Sequence, residues 1–149
     1  VRNAEALQAP AGPLDERALR AWGRQLGGTL PLPVVITLRG DLGAGKTTLA
    51  QALLAGAGVQ EAVTSPTFAL VQWYESPRGR IAHLDLYRLR QAEELDALGW
   101  DDIQREAALI VVEWPERAAA WMPRPRLDLH LTDPADAADR RVVELSWLT

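Results

Sequence analysis

Cysteine is absent from this chain of 149 residues, which excludes disulfides and thiolate metal sites. No apolar run approaches the roughly 20 residues needed to cross a bilayer, so no membrane span is expected. An excess of positive charge is missing as well. The net charge of −4 argues against strong independent binding of nucleic acid, because neutralising phosphates requires basic groups gathered on one face. Any RNA contact would be shared with a partner. The chain begins at Val1 without a methionine, and its opening segment lacks the charged start and apolar stretch of a signal peptide. A cytosolic location is the expectation, with a trimmed or reassigned start left open. Lysine is the most telling scarcity. Lys46 is the only one, every other Lys/Arg position being arginine, a pattern that suggests a G+C-rich coding bias.

That single lysine lies in Gly40-Asp41-Leu42-Gly43-Ala44-Gly45-Lys46-Thr47, a complete G-x-x-x-x-G-K-[ST] phosphate-binding loop. The flanks have the order the motif needs: Val34 to Leu38 is an apolar, β-branched run that reads as a buried strand, and Thr47 to Leu54 reads as a helix. Gly40, Gly43 and Gly45 permit backbone angles closed to other residues, so that successive N–H groups of residues 41–48 (Asp41, Leu42, Gly43, Ala44, Gly45, Lys46, Thr47, Thr48) can converge on a triphosphate at the positive end of the helix dipole. Thr47 would then place a hydroxyl on Mg²⁺. The alternative is a chance glycine-rich turn before a helix, which the flanking context disfavours. One domain over residues 1–149 is the simplest organisation, with room for a core covered on both sides but little for a separate substrate domain.

The rest of the chain alternates between helical and extended patterns. Leu14 to Leu26 carries an apolar helical stripe, with Asp15 as cap and Gly27-Gly28 as the stop. Gly56-Ala57-Gly58 closes the helix after the loop. Phe68 to Tyr74 and Arg80 to Tyr87 read as strands joined by the turn Ser76-Pro77-Arg78-Gly79, hence an antiparallel pair. Gln91 to Leu98 looks helical, Gly99 stops it, and Trp100 to Arg105 reads as another short helix. Ala107 to Val112 is the most continuous apolar run, as a central strand buried on both faces would be. Pro115 suits the first turn of a helix to about Trp121, and 127–131 and 142–145 alternate as strands around a polar surface loop. No repeat or low-complexity tract is present.

Acidic groups at strand ends carry the next signal, since the Mg²⁺ shell and the group orienting attacking water lie beside the phosphates at the C-terminal ends of neighbouring strands. Glu113 ends the buried run in the manner of a Walker B acid with glutamate in place of aspartate; Asp85 lies in a half-buried strand. The alternative for each is an ordinary strand carboxylate, and the functional reading is preferred for both. Thr64, Ser65 and Thr67, held by Pro66, could fold over the metal as switch segments do, or form a polar turn. His83 shares a face with Asp85 and either tunes that carboxylate, meets a partner, or is a satisfied structural histidine. Arg88 could contact phosphate or pair with an acid such as Glu94, and His130 carries no assignment. Trp22, Trp73, Trp121 and Trp147 fit core packing, whereas Trp114 follows Glu113 at the expected active edge, beneath the nucleotide site or at an interface.

Taken together, the loop, Ser65-Pro66-Thr67-Phe68, His83-Leu84-Asp85-Leu86-Tyr87-Arg88-Leu89 and Val112-Glu113-Trp114-Pro115-Glu116, in this order and spacing, resemble the TsaE (YjeE) family over nearly the whole chain. The resemblance implies an α/β, P-loop NTPase-like three-layer domain with a mixed parallel and antiparallel central sheet. It also implies a small bacterial ATPase using ATP and Mg²⁺, required for N6-threonylcarbamoyladenosine formation at position 37 of tRNA. In that system TsaD, paired with TsaB, performs the transfer, and TsaE-like proteins bind the TsaB–TsaD assembly and hydrolyse ATP, touching tRNA only through the complex. Carried over, Lys46 holds the β and γ phosphates, Thr47 and Glu113 the metal shell, and Asp85 a metal-linked or water-orienting place. Ser65 and Thr67 match the switch-like loop and Trp114 the active edge. Leu19 stands where a hydroxyl residue is often found in the family, which leaves the adenine pocket unassigned. No internal arginine finger is evident, so slow turnover alone and faster turnover in complex is the expectation. Two rivals remain: a small-molecule kinase, for which the span from Leu86 to Leu109 is short, and a binding module in which ATP only locks a docking surface. A GTPase is disfavoured by the lack of an Asn-Lys-x-Asp segment.

Overall fold

The computed structural model describes residues 7–66, 69–134 and 137–149. Its frame is one six-stranded sheet formed by β1 (Val34–Arg39), β2 (Val71–Tyr74), β3 (Ile81–Asp85), β4 (Leu109–Glu113), β5 (Arg126–Thr132) and β6 (Val142–Leu148). The spatial order is β2-β3-β4-β1-β5-β6. The four inner strands run parallel, and β2 and β6 close the two edges antiparallel, so the sheet is mixed. β4 lies between β3 and β1 with all five residues buried, which is why its sequence is a continuous apolar run ending in an acid.

Helices cover both faces. α1 (Glu16–Thr29) and α2 (Lys46–Gly56) pack on the face carrying Ile36, Leu38, Ile81, Leu109 and Val111. The opposite face, with Ala82, Leu84, Ile110 and Val112, is covered by α3 (Glu94–Ala97), α4 (Trp100–Glu106) and a 3₁₀ segment, Pro115–Trp121. The result is the three-layer α/β arrangement. Strand parity puts His83, Asp85 and Glu113 on the α2 side, at or near the C-terminal edge of the sheet.

Several boundaries differ from the sequence pattern, each for a physical reason. Asp15 does cap α1, accepting from the Ala18 N–H at 2.8 Å, but the helix runs through Gly27 and Gly28 to Thr29. A Cβ on Gly27 would sit 2.0 Å from the Leu53 carbonyl oxygen, and one on Gly56 2.0 Å from that of Arg24. These glycines let α1 and α2 touch backbone to backbone; Gly27 does not end α1, whereas α2 does end at Gly56, as the run Gly56-Ala57-Gly58 predicts. β2 begins only at Val71, after Leu70 in a left-handed conformation (φ 64°). The helix expected over 91–98 contracts to the single turn of α3 before left-handed Gly99, because Leu95 alone is buried there. The helix after Pro115 is a 3₁₀ run broken at Ala118 (φ −146°), where the chain folds Ala118 into the core.

Candidate functional site

The phosphate loop joins β1 to α2. Gly43 (φ 77°) and Gly45 (φ 101°) are left-handed, and Gly45 opens α2 with no side chain capping its first N–H groups. Those donors, at the positive end of an 11-residue helix, are what an anion would meet. Lys46 is 5% exposed, and its Nζ donates to the carbonyls of Gly40 at 2.5 Å and Asp41 at 2.8 Å. Burial pushes its pKa below the ordinary lysine value, opposed by the negative fields of Glu113, Glu116, Asp85 and Asp41.

The loop opens on a cleft of about 440 Å³. Leu42, Gly43, Gly45, Lys46, Thr47 and Thr48 line it from the loop side, and Ser65, Asp85, Arg88, Glu113 and Trp114 face them. Asp85 and Glu113 stand side by side because β3 and β4 pair in that register. Thr47 Oγ1 donates to Glu113 Oε1 at 2.9 Å, and the other carboxylate oxygen lies 2.7 Å from His83 Nε2. His83 is fully buried, and its Nδ1 has no hydrogen-bond partner among the described residues. A carboxylate only accepts, so Nε2 is the donor in this bond. His83 therefore orients Glu113 and not Asp85. Asp85 accepts from the Tyr87 N–H at 3.0 Å and from Ser65 Oγ at 3.3 Å.

Trp114 leaves β4 in a left-handed conformation (φ 60°), an arrangement that costs on the order of 1 kcal/mol for a residue other than glycine. It lays the indole over Lys46, 4.1 Å from Nζ to the ring centroid, a cation–π contact. Tyr87 packs on Trp114 with centroids 4.9 Å apart, and the Arg117 guanidinium lies 5.4 Å from the Tyr87 ring centroid. Arg117, the packing of Tyr87 on Trp114 and the link from His83 to Glu113 had no sequence signal of their own, because each depends on residues far apart in the chain meeting at the sheet edge. Thr67 and Phe68 lie outside the described residues; Thr64 is exposed, its N–H donating to the Tyr74 hydroxyl at 3.3 Å. Trp22, Trp73, Trp121 and Trp147 are partly buried against the two cores.

Thr47 and Glu113 offer two hard oxygen ligands at the mouth of the helix. Among the described residues no group of three or more His, Cys, Asp or Glu could hold a metal alone. The oxygen pair of Thr47 and Glu113 is a donor set that Mg²⁺ could use, since that ion keeps waters and binds through one or two protein oxygens plus substrate phosphates. No helix of the described residues is long and apolar enough to cross a membrane.

A family profile described as "Threonylcarbamoyl adenosine biosynthesis protein TsaE" matches residues 14–142. Relatives named "tRNA threonylcarbamoyladenosine biosynthesis protein TsaE" include one from Synechocystis, 42% identical over 106 residues, covering 69% of this chain and 68% of the relative. One from Nostoc is also 42% identical, covering 69% of this chain and 65% of the relative. One from Treponema pallidum is 36% identical over 115 residues, covering 77% and 84%. The chain thus spans about two thirds of the length of the two cyanobacterial relatives. The crystal structure of Bacillus subtilis YdiB superposes with a TM-score of 0.75 at 26% identity, covering 91% of this chain and 82% of that one. The shared architecture is that of a P-loop NTPase.

Proposed function

The chain belongs to the TsaE family of threonylcarbamoyladenosine biosynthesis proteins, and from that premise we propose that it is a Mg²⁺-dependent ATPase acting on the TsaB–TsaD complex in the cytoplasm. Contact with tRNA is indirect, through the complex. The observation that carries the proposal is the 2.9 Å bond between Thr47 Oγ1 and Glu113 Oε1. It joins the loop hydroxyl to the strand-end acid, the two groups that would hold a divalent ion beside the phosphates. When bound, Mg²⁺ supplies neutralisation of the charge that develops there.

The chain's own groups have separable tasks. The first N–H groups of α2 and the loop amides receive the phosphates. Lys46 exchanges its contacts with Gly40 and Asp41 for charge-assisted bonds to β- and γ-oxygens, beneath the Trp114 ring. His83 fixes Glu113 toward Thr47, while Asp85, held by Tyr87 N–H and Ser65, orients the water. The water oxygen attacks the γ-phosphorus as the bond from that phosphorus to the β–γ bridging oxygen breaks, giving ADP and phosphate, with the proton lost by the water passing to solvent. Lys46 and Arg88 are the cations lining the cleft, and Arg88 is exposed at its rim. A partner that orders this rim or adds a cation would raise turnover about a thousandfold, so the protein alone is expected to be slow.

ATP turnover by the protein alone, then with TsaB and TsaD from the same organism, tests this. Strong stimulation that Lys46→Ala and Glu113→Ala both abolish is the expected result. Intact nucleotide binding without stimulated turnover would favour a nucleotide-gated docking module, and transfer of the γ-phosphoryl group to an acceptor would favour a kinase.

A further inference from the structure

Arg141, which no motif marks, grips the phosphate loop from outside. Its backbone is pinned first: just before β6, Leu14 and Arg141 each donate an N–H to the other's carbonyl at 2.7 Å. From that anchor the guanidinium donates from Nε to the Ala44 carbonyl at 2.8 Å and from Nη2 to the Gly43 carbonyl at 2.9 Å. Nη1 donates to the carbonyls of Ala138 at 2.8 Å and Arg140 at 2.7 Å, and Asp133 Oδ1 lies 3.2 Å from Nε. The bonds from Nη1 would suffice to fasten the turn before β6. Those to Gly43 and Ala44 reach a loop nearly a hundred positions earlier in the chain (separations of 98 and 97 residues) and need another reason.

The peptide plane supplies that reason. A trans peptide holds each carbonyl antiparallel to the N–H that follows it, so drawing the Gly43 and Ala44 carbonyls outward turns the N–H groups of Ala44 and Gly45 the other way. The Ala44 N–H closes the loop on the Asp41 carbonyl at 3.0 Å, and Gly45, whose N–H the same peptide geometry turns away from Arg141, lines the cleft. A cationic donor on a carbonyl also polarises that peptide and strengthens its N–H as a donor. The left-handed conformations at Gly43 and Gly45 are thus held before any ligand arrives.

We infer that Arg141 is a positioning residue for nucleotide: it preorganises the phosphate loop, so that binding does not have to order it. The inference rests on the ATP-site proposal above. ATP and ADP both place phosphates in the loop, so both depend on Arg141 and the effect falls on affinity more than on bond breaking.

Calorimetric titration of the full chain with ATP and with ADP, each with Mg²⁺, tests this on wild type, Arg141→Gln and Arg141→Lys, with melting of the nucleotide-free proteins alongside. Arg141→Gln is expected to weaken ATP and ADP by a similar factor of about ten to a hundred, the effect of losing charge-assisted bonds. Turnover at saturating ATP should fall by less. Arg141→Lys keeps the charge but cannot span two carbonyls, so it should not restore affinity. A residue that only fastens the fold would lower the nucleotide-free melting temperature and leave the affinity of the folded protein intact. That result, wild-type affinity in both variants, or failure of both to fold, would overturn the inference. If wild type binds neither ATP nor ADP while folded, the ATP-site proposal itself falls.

Discussion

A lysine is useful to a phosphate only while it is charged, and the environment of Lys46 works against the charge. Burial lowers its pKa from the ordinary 10.5, with the surrounding carboxylates compensating only in part. The protonated form is the one that binds phosphate, so affinity for ATP should decline as pH rises through this lowered pKa, before an exposed lysine would lose its proton. Bound phosphates pull the pKa back up, so binding in that window takes up a proton. Titrations from about pH 7 to about pH 10 in buffers of different ionisation enthalpy would read both effects, and a flat affinity would contradict them. His83 offers a second test. His83→Phe keeps an aromatic ring in the fully buried position but removes the donor to Glu113 Oε2. Turnover should drop about tenfold or more, because a buried carboxylate oxygen loses its partner, with a smaller change in ATP affinity. The sequence pattern placed His83 on the right face of the sheet; which carboxylate it serves needed the β3–β4 register and the direction of the ring.

At the level of elements, the contact between α1 and α2 carries the phosphate loop on a rigid base. It is made through glycine: Gly27 against Leu53, Gly56 against Arg24, and Gly23 against Leu49 and Ala52. Two effects of a Gly56→Ala change oppose one another. Helix propensity favours alanine by about 1 kcal/mol. A methyl carbon 2.0 Å from the Arg24 carbonyl oxygen forces the helices apart, at a cost of about 2–3 kcal/mol. The clash should win, and chemical denaturation should show net destabilisation of about 1–2 kcal/mol. Gly28→Ala, whose Cβ would meet only the Gly56 carbonyl at 3.3 Å, should stay near neutral. Stabilisation by Gly56→Ala would mean that the helices are not in backbone contact. From sequence alone Gly27-Gly28 is indistinguishable from a helix stop, because glycine serves both uses and only the neighbouring helix separates them.

For the whole molecule, the sheet brings four distant segments to one edge: the loop after β1, residue 65 ahead of β2, the end of β3 and the end of β4. A ligand that engages them all binds the folded state and not the unfolded chain. ATP with Mg²⁺ at about a hundred times its dissociation constant should add about 2.7 kcal/mol, a rise of about 5–10 °C in melting temperature for a domain of this size. Lys46→Ala should remove most of that shift. A shift that survives the substitution would place the nucleotide elsewhere.

What the sequence by itself determined is the local chemistry: a loop whose glycine spacing admits phosphate, strands whose apolar runs end in acids, and the alternation that makes a layered α/β fold. These are legible because backbone angles, strand period and charge act within a few residues of one another. Only the tertiary structure decided which groups serve which. It joined Thr47 and His83 to Glu113, laid Trp114 over Lys46 and brought Arg141 to the back of the loop. The physical reason is common to all of these. A hydrogen bond or a ring contact is set by position within about half an ångström, and between segments tens of residues apart that position is fixed by strand register and helix packing, which composition and spacing leave open.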